Sequence, residues 1–270
     1  MTNVAAYGRA TRAIFVRDLL IFFSYRGRLP GELIGVVATV TLFYYVSRLV
    51  KTPEFPTPQD YFAFALIGIV VVRALALSFG GLVGTVRQEL VAGTFERMAT
   101  SPLGPIFGTA AMTLFPLTLS LFLGMATIGF AVVAFDVSLE WATVPLALPV
   151  ALLAAMTLVP FSLMITAAVI AFKQAGAAVR LFTVIITVVS GFLFPVSLLP
   201  GWIRWASDVQ PFTPVIELLR HLLIGTRLQD PVTITLIKVL AFVVVLLPLA
   251  LYLLHASIEW GRRRATLIEY

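Results

Sequence analysis

Arg87-Gln88-Glu89-Leu90-Val91-Ala92-Gly93-Thr94-Phe95-Glu96-Arg97-Met98-Ala99-Thr100-Ser101-Pro102 is nearly the only polar stretch in the interior of the chain. Apolar runs longer than a soluble helix needs flank it on both sides, so its reading decides the fold. A membrane protein here presents a short amphipathic helix to water. Two glutamates seven residues apart fall on nearly one helix face, a Gly-Thr step lies between them, Arg97 adds a positive charge, and Ser-Pro closes the segment. Such a helix has the character of a docking handle.

Composition agrees. Of 270 residues, 60% are hydrophobic and only 12% charged, against about a quarter charged in soluble domains. Mean hydropathy is +1.02. The sequence therefore predicts an integral, all-α, polytopic membrane protein. The net charge of +6 matters less than where lysine and arginine fall. With no cysteine, thiolate metal sites, disulfides and cysteine nucleophiles are excluded, and two histidines, His221 and His255, do not build a zinc site alone. No metal site and no nucleic-acid partner are expected. Residues 1–28 carry five arginines without a compact apolar core followed by small residues, so no cleavable leader is expected.

The pattern E-x3-G-T-x-E-x4-S-P, carried by Glu89, Gly93, Thr94, Glu96, Ser101 and Pro102, resembles the cytoplasmic loop of permease subunits in the type-two ABC exporter family. In that family the loop is the coupling helix, seated in a groove of a separate ATPase subunit. The resemblance implies a coupling helix at about 87–101. Glu89 and Glu96 would make charged contacts, Gly93 and Thr94 would set the tight local geometry, and Pro102 would end the helix.

Six spans are expected around it. Residues 7–25 read as a surface helix, with Phe15, Leu19 and Phe23 on one side and Arg17, Asp18 and Ser24 towards the other; the resemblance implies an interfacial elbow helix over 1–28. The membrane domain, 29–270, begins with a span that follows Gly27-Arg28-Leu29-Pro30-Gly31, runs to Val50 and ends at Arg48 and Lys51, which can snorkel. A proline-rich acidic turn leads to the second span, 61–86. Within it Gly80-Gly81-Leu82-Val83-Gly84 offers the small-residue spacing of close helix packing. Leu103 to Phe135 reads as one tilted or kinked span around Pro105 and Pro116, and the stretch ending at Phe172 as another, around Pro145, Pro149 and Pro160. Lys173 to Arg180 forms the basic return, and the fifth span is set at Leu181–Leu199. Over 199–226, two proline-led segments too short to span suggest a hairpin of short outer helices, interfacial or re-entrant, which the family resemblance also implies. The last span is 234–257. All four tryptophans, Trp141, Trp202, Trp205 and Trp260, fall at predicted span ends.

Of the 19 Lys and Arg residues, twelve fall in segments on the side of the N-terminus, five on the other side, and Arg73 and Lys238 in or beside spans. That bias places both termini and the Glu89–Glu96 segment in the cytoplasm of a cell whose plasma (inner) membrane holds the chain.

The chemistry that is missing narrows the function. The lysines, Lys51, Lys173 and Lys238, are preceded by valine, phenylalanine and isoleucine, so no Gly-Lys-Ser/Thr phosphate cradle exists and the chain is not itself an ATPase. ATP and Mg would sit on ABC-type ATPase subunits. The span centres lack Asp, Glu and His, with Glu32 and His255 only at span edges, which disfavours ion-coupled carriage and intramembrane catalysis. Arg73 has no charged neighbour in sequence. It faces either a transport pathway or carbonyls and hydroxyls of other spans. Phe43, Tyr44, Tyr45, Phe79, Phe192 and Phe194 are candidates to line a pathway for drugs, lipids or glycans, with core packing as the ordinary alternative. The resemblance implies a pair of permeases, homodimer or heterodimer, exporting an amphipathic substrate by alternating access. The competing classes are a non-transporting assembly or sensory subunit docked to an ATPase, and an ion-coupled secondary transporter.

Overall fold

The computed structural model describes residues 4–50, 54–172 and 176–263. Lys51, Lys173 and Arg264, part of the expected charge pattern, lie outside them. Eleven α-helices and no strand occur among the described residues: α1 (Val4–Ser24), α2 (Arg28–Ser47), α3 (Pro58–Val91), α4 (Thr94–Ala99), α5 (Gly104–Ala111), α6 (Leu114–Phe135), α7 (Val144–Phe172), α8 (Gly176–Val189), α9 (Gly201–Asp208), α10 (Phe212–Ile224) and α11 (Val232–Arg263). Five stretches are long and apolar enough to cross a membrane: α2, α3, α5 with α6, α7 and α11. A polytopic all-α membrane protein is the result.

The central helix is α3, the most buried of the spans, while α2 and α11 lie at the periphery with apolar side chains turned outward. It starts cleanly because Thr57 accepts from the Asp60 backbone N–H while the Asp60 carboxylate accepts from that of Thr57, with Pro58 in the first turn. In its glycine run, nothing lies within 4 Å of a Cβ added at Gly80 or Gly84, the pair with the small-residue spacing; the close approach is at Gly81 between them, where a Cβ would stand 3.0 Å from the Pro116 ring of α6. The proline-bearing α7 stays one helix through Pro149 and Pro160. Residues 104–135 likewise remain one membrane-crossing stretch, kinked where expected. The helical ladder is interrupted at Met112-Thr113, four residues before Pro116, which has no N–H for the Met112 carbonyl and whose ring would crowd it, while both residues keep helical dihedrals. The kink divides the span into α5 and α6.

The fifth predicted span is also altered. Helix α8 stops at Val189, ten residues before the expected Leu199, and its 14 residues reach about 21 Å, short of a hydrocarbon core of ~30 Å. Gly191, at φ 66°, turns the chain into the short hairpin of α9 and α10. Their bounds match the expected outer pair, and of the two alternatives α10 is not the interfacial one. Nine of its residues, Phe212 and Arg220 among them, are buried against α3, α7 and α11.

Non-helical backbone in an apolar interior is tolerated only when its polar groups find partners inside the protein. Here side chains supply them. Ser207 donates to the Val189 carbonyl at 2.7 Å, Arg220 to those of Gly191 and Phe192 at 3.1 and 2.6 Å, and Tyr61 to that of Leu193 at 3.3 Å. Arg220 also donates to the Phe64 carbonyl of α3 at 3.2 Å and lies over the Phe64 ring, 3.4 Å from its centroid. Gly68 lets the turn come this close. A Cβ there would lie 1.7 Å from the Phe192 carbonyl oxygen.

Candidate functional site

The polar stretch does not form one helix over 87–101. Helix α3 carries Arg87, Gln88 and Glu89 and continues to Val91; Gly93 then adopts a left-handed conformation (φ 69°), and only Thr94–Ala99 forms the separate helix α4. A side chain at Gly93 would be strained in that region, which explains glycine there. The break also places Glu89 and Glu96 on different helices rather than on one face. At the far end, Ser101 Oγ donates to the Met98 carbonyl at 2.8 Å and Thr100 Oγ1 to that of Glu96 at 3.2 Å, so the last carbonyls of α4 are satisfied before exposed Pro102. Gly104, at φ 75°, starts α5.

Six residues are too few to hold a helix by themselves. Two side chains anchor α4 to the bundle. Phe95, 1% exposed, enters an apolar core built by Leu82, Val86 and Leu90 of α3, Met112, Leu163 of α7 and Leu254 of α11. Met98 lies against Gly108 of α5, whose missing side chain leaves the room: a Cβ would stand 2.2 Å from its sulfur. With these two turned inward, α4 and its flanks expose Val91, Ala92, Gly93, Thr94, Glu96 and Arg97. The result is a rigid, solvent-facing knob carrying both charges.

Glu89 lies elsewhere. Its carboxylate accepts from Arg17 of α1 at 2.6 Å and from the Thr94 hydroxyl, and Arg17 also donates to Asp18 at 2.8 and 3.0 Å. The buried Asp18 carboxyl is pushed above its ordinary value near 3.8, chiefly by burial, against the lowering effect of its bond to Arg17. Thus Glu89 and Thr94 bind α1 to the α3–α4 turn, and of the two glutamates only Glu96 stands free on the knob.

Arg73, near the middle of α3, meets Glu32 of α2: one Nη donates to the carboxylate at 2.6 Å and to the Glu32 carbonyl at 2.8 Å. The structural alternative for Arg73 is thereby occupied, by a carboxylate that the sequence placed at a span edge. Phe79 and Phe192 are fully buried in the main core, Phe79 beside the ring of Phe182, the ordinary packing alternative for an aromatic ring in an apolar chain. Phe194 is half-buried in the α8–α9 connection. Tyr44 stacks on Phe135 with centroids 4.2 Å apart, whereas Tyr45 is exposed.

Two residues of structural weight are not singled out in the sequence: Arg17 falls on the polar side of the surface helix, and Arg220 counts among the outer basic residues. Arg17 carried no distinguishing signal. Arg220 did: flanked by Leu218-Leu219 and Leu222-Leu223 and three residues after Glu217, a cation on so apolar a helix points to partners inside the protein. A search of curated proteins finds no match to the chain. The sequence model described as ABC-2 type transporter matches residues 10–224, which include α4, the Glu89 network and the whole of α10.

Proposed function

The chain belongs to the ABC-2 type transporter family, as its membrane subunit, and we propose that it works as the permease of an ATP-driven exporter moving an amphipathic substrate outward. ATP and Mg bind to separate ABC-type ATPase subunits; this chain supplies the path and receives the stroke. The stroke enters at α4, which lies on the cytoplasmic side in this reading together with both termini. Two permease copies, identical or related, enclose the path in the plasma membrane.

The observation that carries this reading is the construction of α4. A helix of six residues is held on the bundle by Phe95 and Met98 and set off from α3 by left-handed Gly93, so a load on its exposed Glu96 and Arg97 reaches the core rather than bending a loose loop. In this assignment Glu96 and Arg97 make the charged contacts with the ATPase groove, Gly93 and Thr94 fix the entry angle, and Pro102 ends the helix. Glu89 contributes from behind, by holding Thr94 and α1.

The test is purification of the chain from its native membrane in mild detergent, followed by mass spectrometry and an ATPase assay. Recovery of a P-loop ATPase is expected, with Glu96→Lys abolishing coupled transport without preventing membrane insertion. Wild-type transport by that variant, or solute movement under an ion gradient with no ATPase recovered, overturns the reading.

A further inference from the structure

Helix α5 is an eight-residue segment bounded by left-handed Gly104 on one side and by the kink at Met112-Thr113 on the other, where the backbone stays helical. It is about 12 Å long and leads through helical backbone into α6, so a shift of α5 is carried into the same span. Its neighbours hold it tightly. Tyr7 of α1 meets Phe107 edge-on with centroids 4.8 Å apart, and Met98 of α4 fills the space over Gly108, where a Cβ would come within 2.2 Å of the sulfur and 2.8 Å of Cγ. Phe95, the other anchor of α4, instead enters the core shared by α3, α7 and α11.

We propose that Met98 seated on Gly108 is a positioning contact that passes displacement of α4 to α5, and through the kink at Met112-Thr113 to α6. The proposal rests on the reading of α4 as the segment that an ATPase moves. Only glycine at 108 admits the methionine, so the contact is defined by shape. The linker between α4 and α5 is short and turn-bonded, with Ser101 N–H donating to the Met98 carbonyl at 3.2 Å and Gly104 N–H to that of Ser101 at 3.1 Å. It keeps the two helices from separating, while Met98 sets the angle between them.

The chain contains no cysteine, so paired spin labels report only from the positions chosen. Labels at Thr118→Cys on α6 and Tyr252→Cys on α11, both exposed, measure movement of α6 against the bundle in the complex with the copurified ATPase. Trapping with ATP and vanadate is expected to shift the wild-type distance. Met98→Ala and Gly108→Ala should each cut the shifted fraction about two- to tenfold, while the ATPase still copurifies and thermal unfolding stays cooperative. The double variant should be no worse than the weaker single, because the new methyl then meets no methionine. A full shift in Met98→Ala, independent addition of the two effects, loss of ATPase binding confined to the variants, or no shift in the wild type each overturn the relay. Failure of the wild-type chain to bind an ATPase overturns the docking reading beneath it.

Discussion

Arg17 of α1 and Glu89 of α3, 72 residues apart in sequence, form an ion pair at 2.6 Å, and the same carboxylate accepts the hydroxyl of Thr94 at the start of α4. One carboxylate therefore fixes three helices at one end of the bundle. Arg17→Glu and Glu89→Arg singly should each lower stability and disturb α4, and the double reversal should recover about 1 kcal/mol of the combined loss. Thermal unfolding in detergent of the four proteins in this cycle checks it; additive losses would show that the pair does not interact.

Asp18 supplies a pH dependence. Its carboxyl is raised above the ordinary value, mainly through burial, so the folded state binds the proton more tightly than the unfolded chain. The sign follows: this group's contribution is fully present below its unfolded value and is lost as pH rises through its folded one. Asp18→Asn should flatten that component of the unfolding profile on the acidic side. Arg17→Ala, which removes the lowering influence, should move the same component to higher pH. An unchanged profile in both variants would refute the assignment.

Arg220 is the counterpart at the other end, donating to the carbonyls of Phe64, Gly191 and Phe192. Arg220→Met keeps bulk but leaves buried carbonyls without donors, and should cost about 3 kcal/mol or more. Gly68→Ala should cost about 1–3 kcal/mol by a different route, since its methyl meets a backbone oxygen that cannot move alone. Proteolysis in the α8–α9 connection is the measurement, and both variants should become more susceptible there than the wild type.

Glu32 and Arg73 make a further cycle. Glu32→Gln keeps an amide oxygen as acceptor but removes the negative charge, and an uncompensated charge at that depth carries a penalty of ~2.5 kcal/mol or more. The double variant Glu32→Gln/Arg73→Gln should be more stable than Glu32→Gln alone. Unfolding in lipid nanodiscs reads the difference, and the opposite order would mean that the arginine is solvated.

What the sequence disclosed follows the range over which each signal acts. Span existence was legible because apolar runs are local, and the α9–α10 pair was legible because Pro200 and Pro211 punctuate it. The kink at Met112-Thr113 was legible too, since Pro116 withdraws the N–H that the Met112 carbonyl would take. The exposed glutamate of α4 was visible in the G-T-x-E run. The different role of Glu89 was not, because it depends on Gly93 taking a left-handed conformation and on Arg17 arriving from another helix. Likewise Glu32 was read as a span-edge residue, and nothing in its neighbourhood named Arg73.

The Arg220 clamp also imposes an order on assembly. Its acceptors lie 28, 29 and 156 residues earlier in the chain. During synthesis, the α8–α9 turn therefore waits with open carbonyls until α10 emerges, and α3 has been in the membrane long before. The final lock on this half of the molecule closes only when its second-to-last helix arrives, so the nascent chain stays pliable there until α11 alone remains to be inserted.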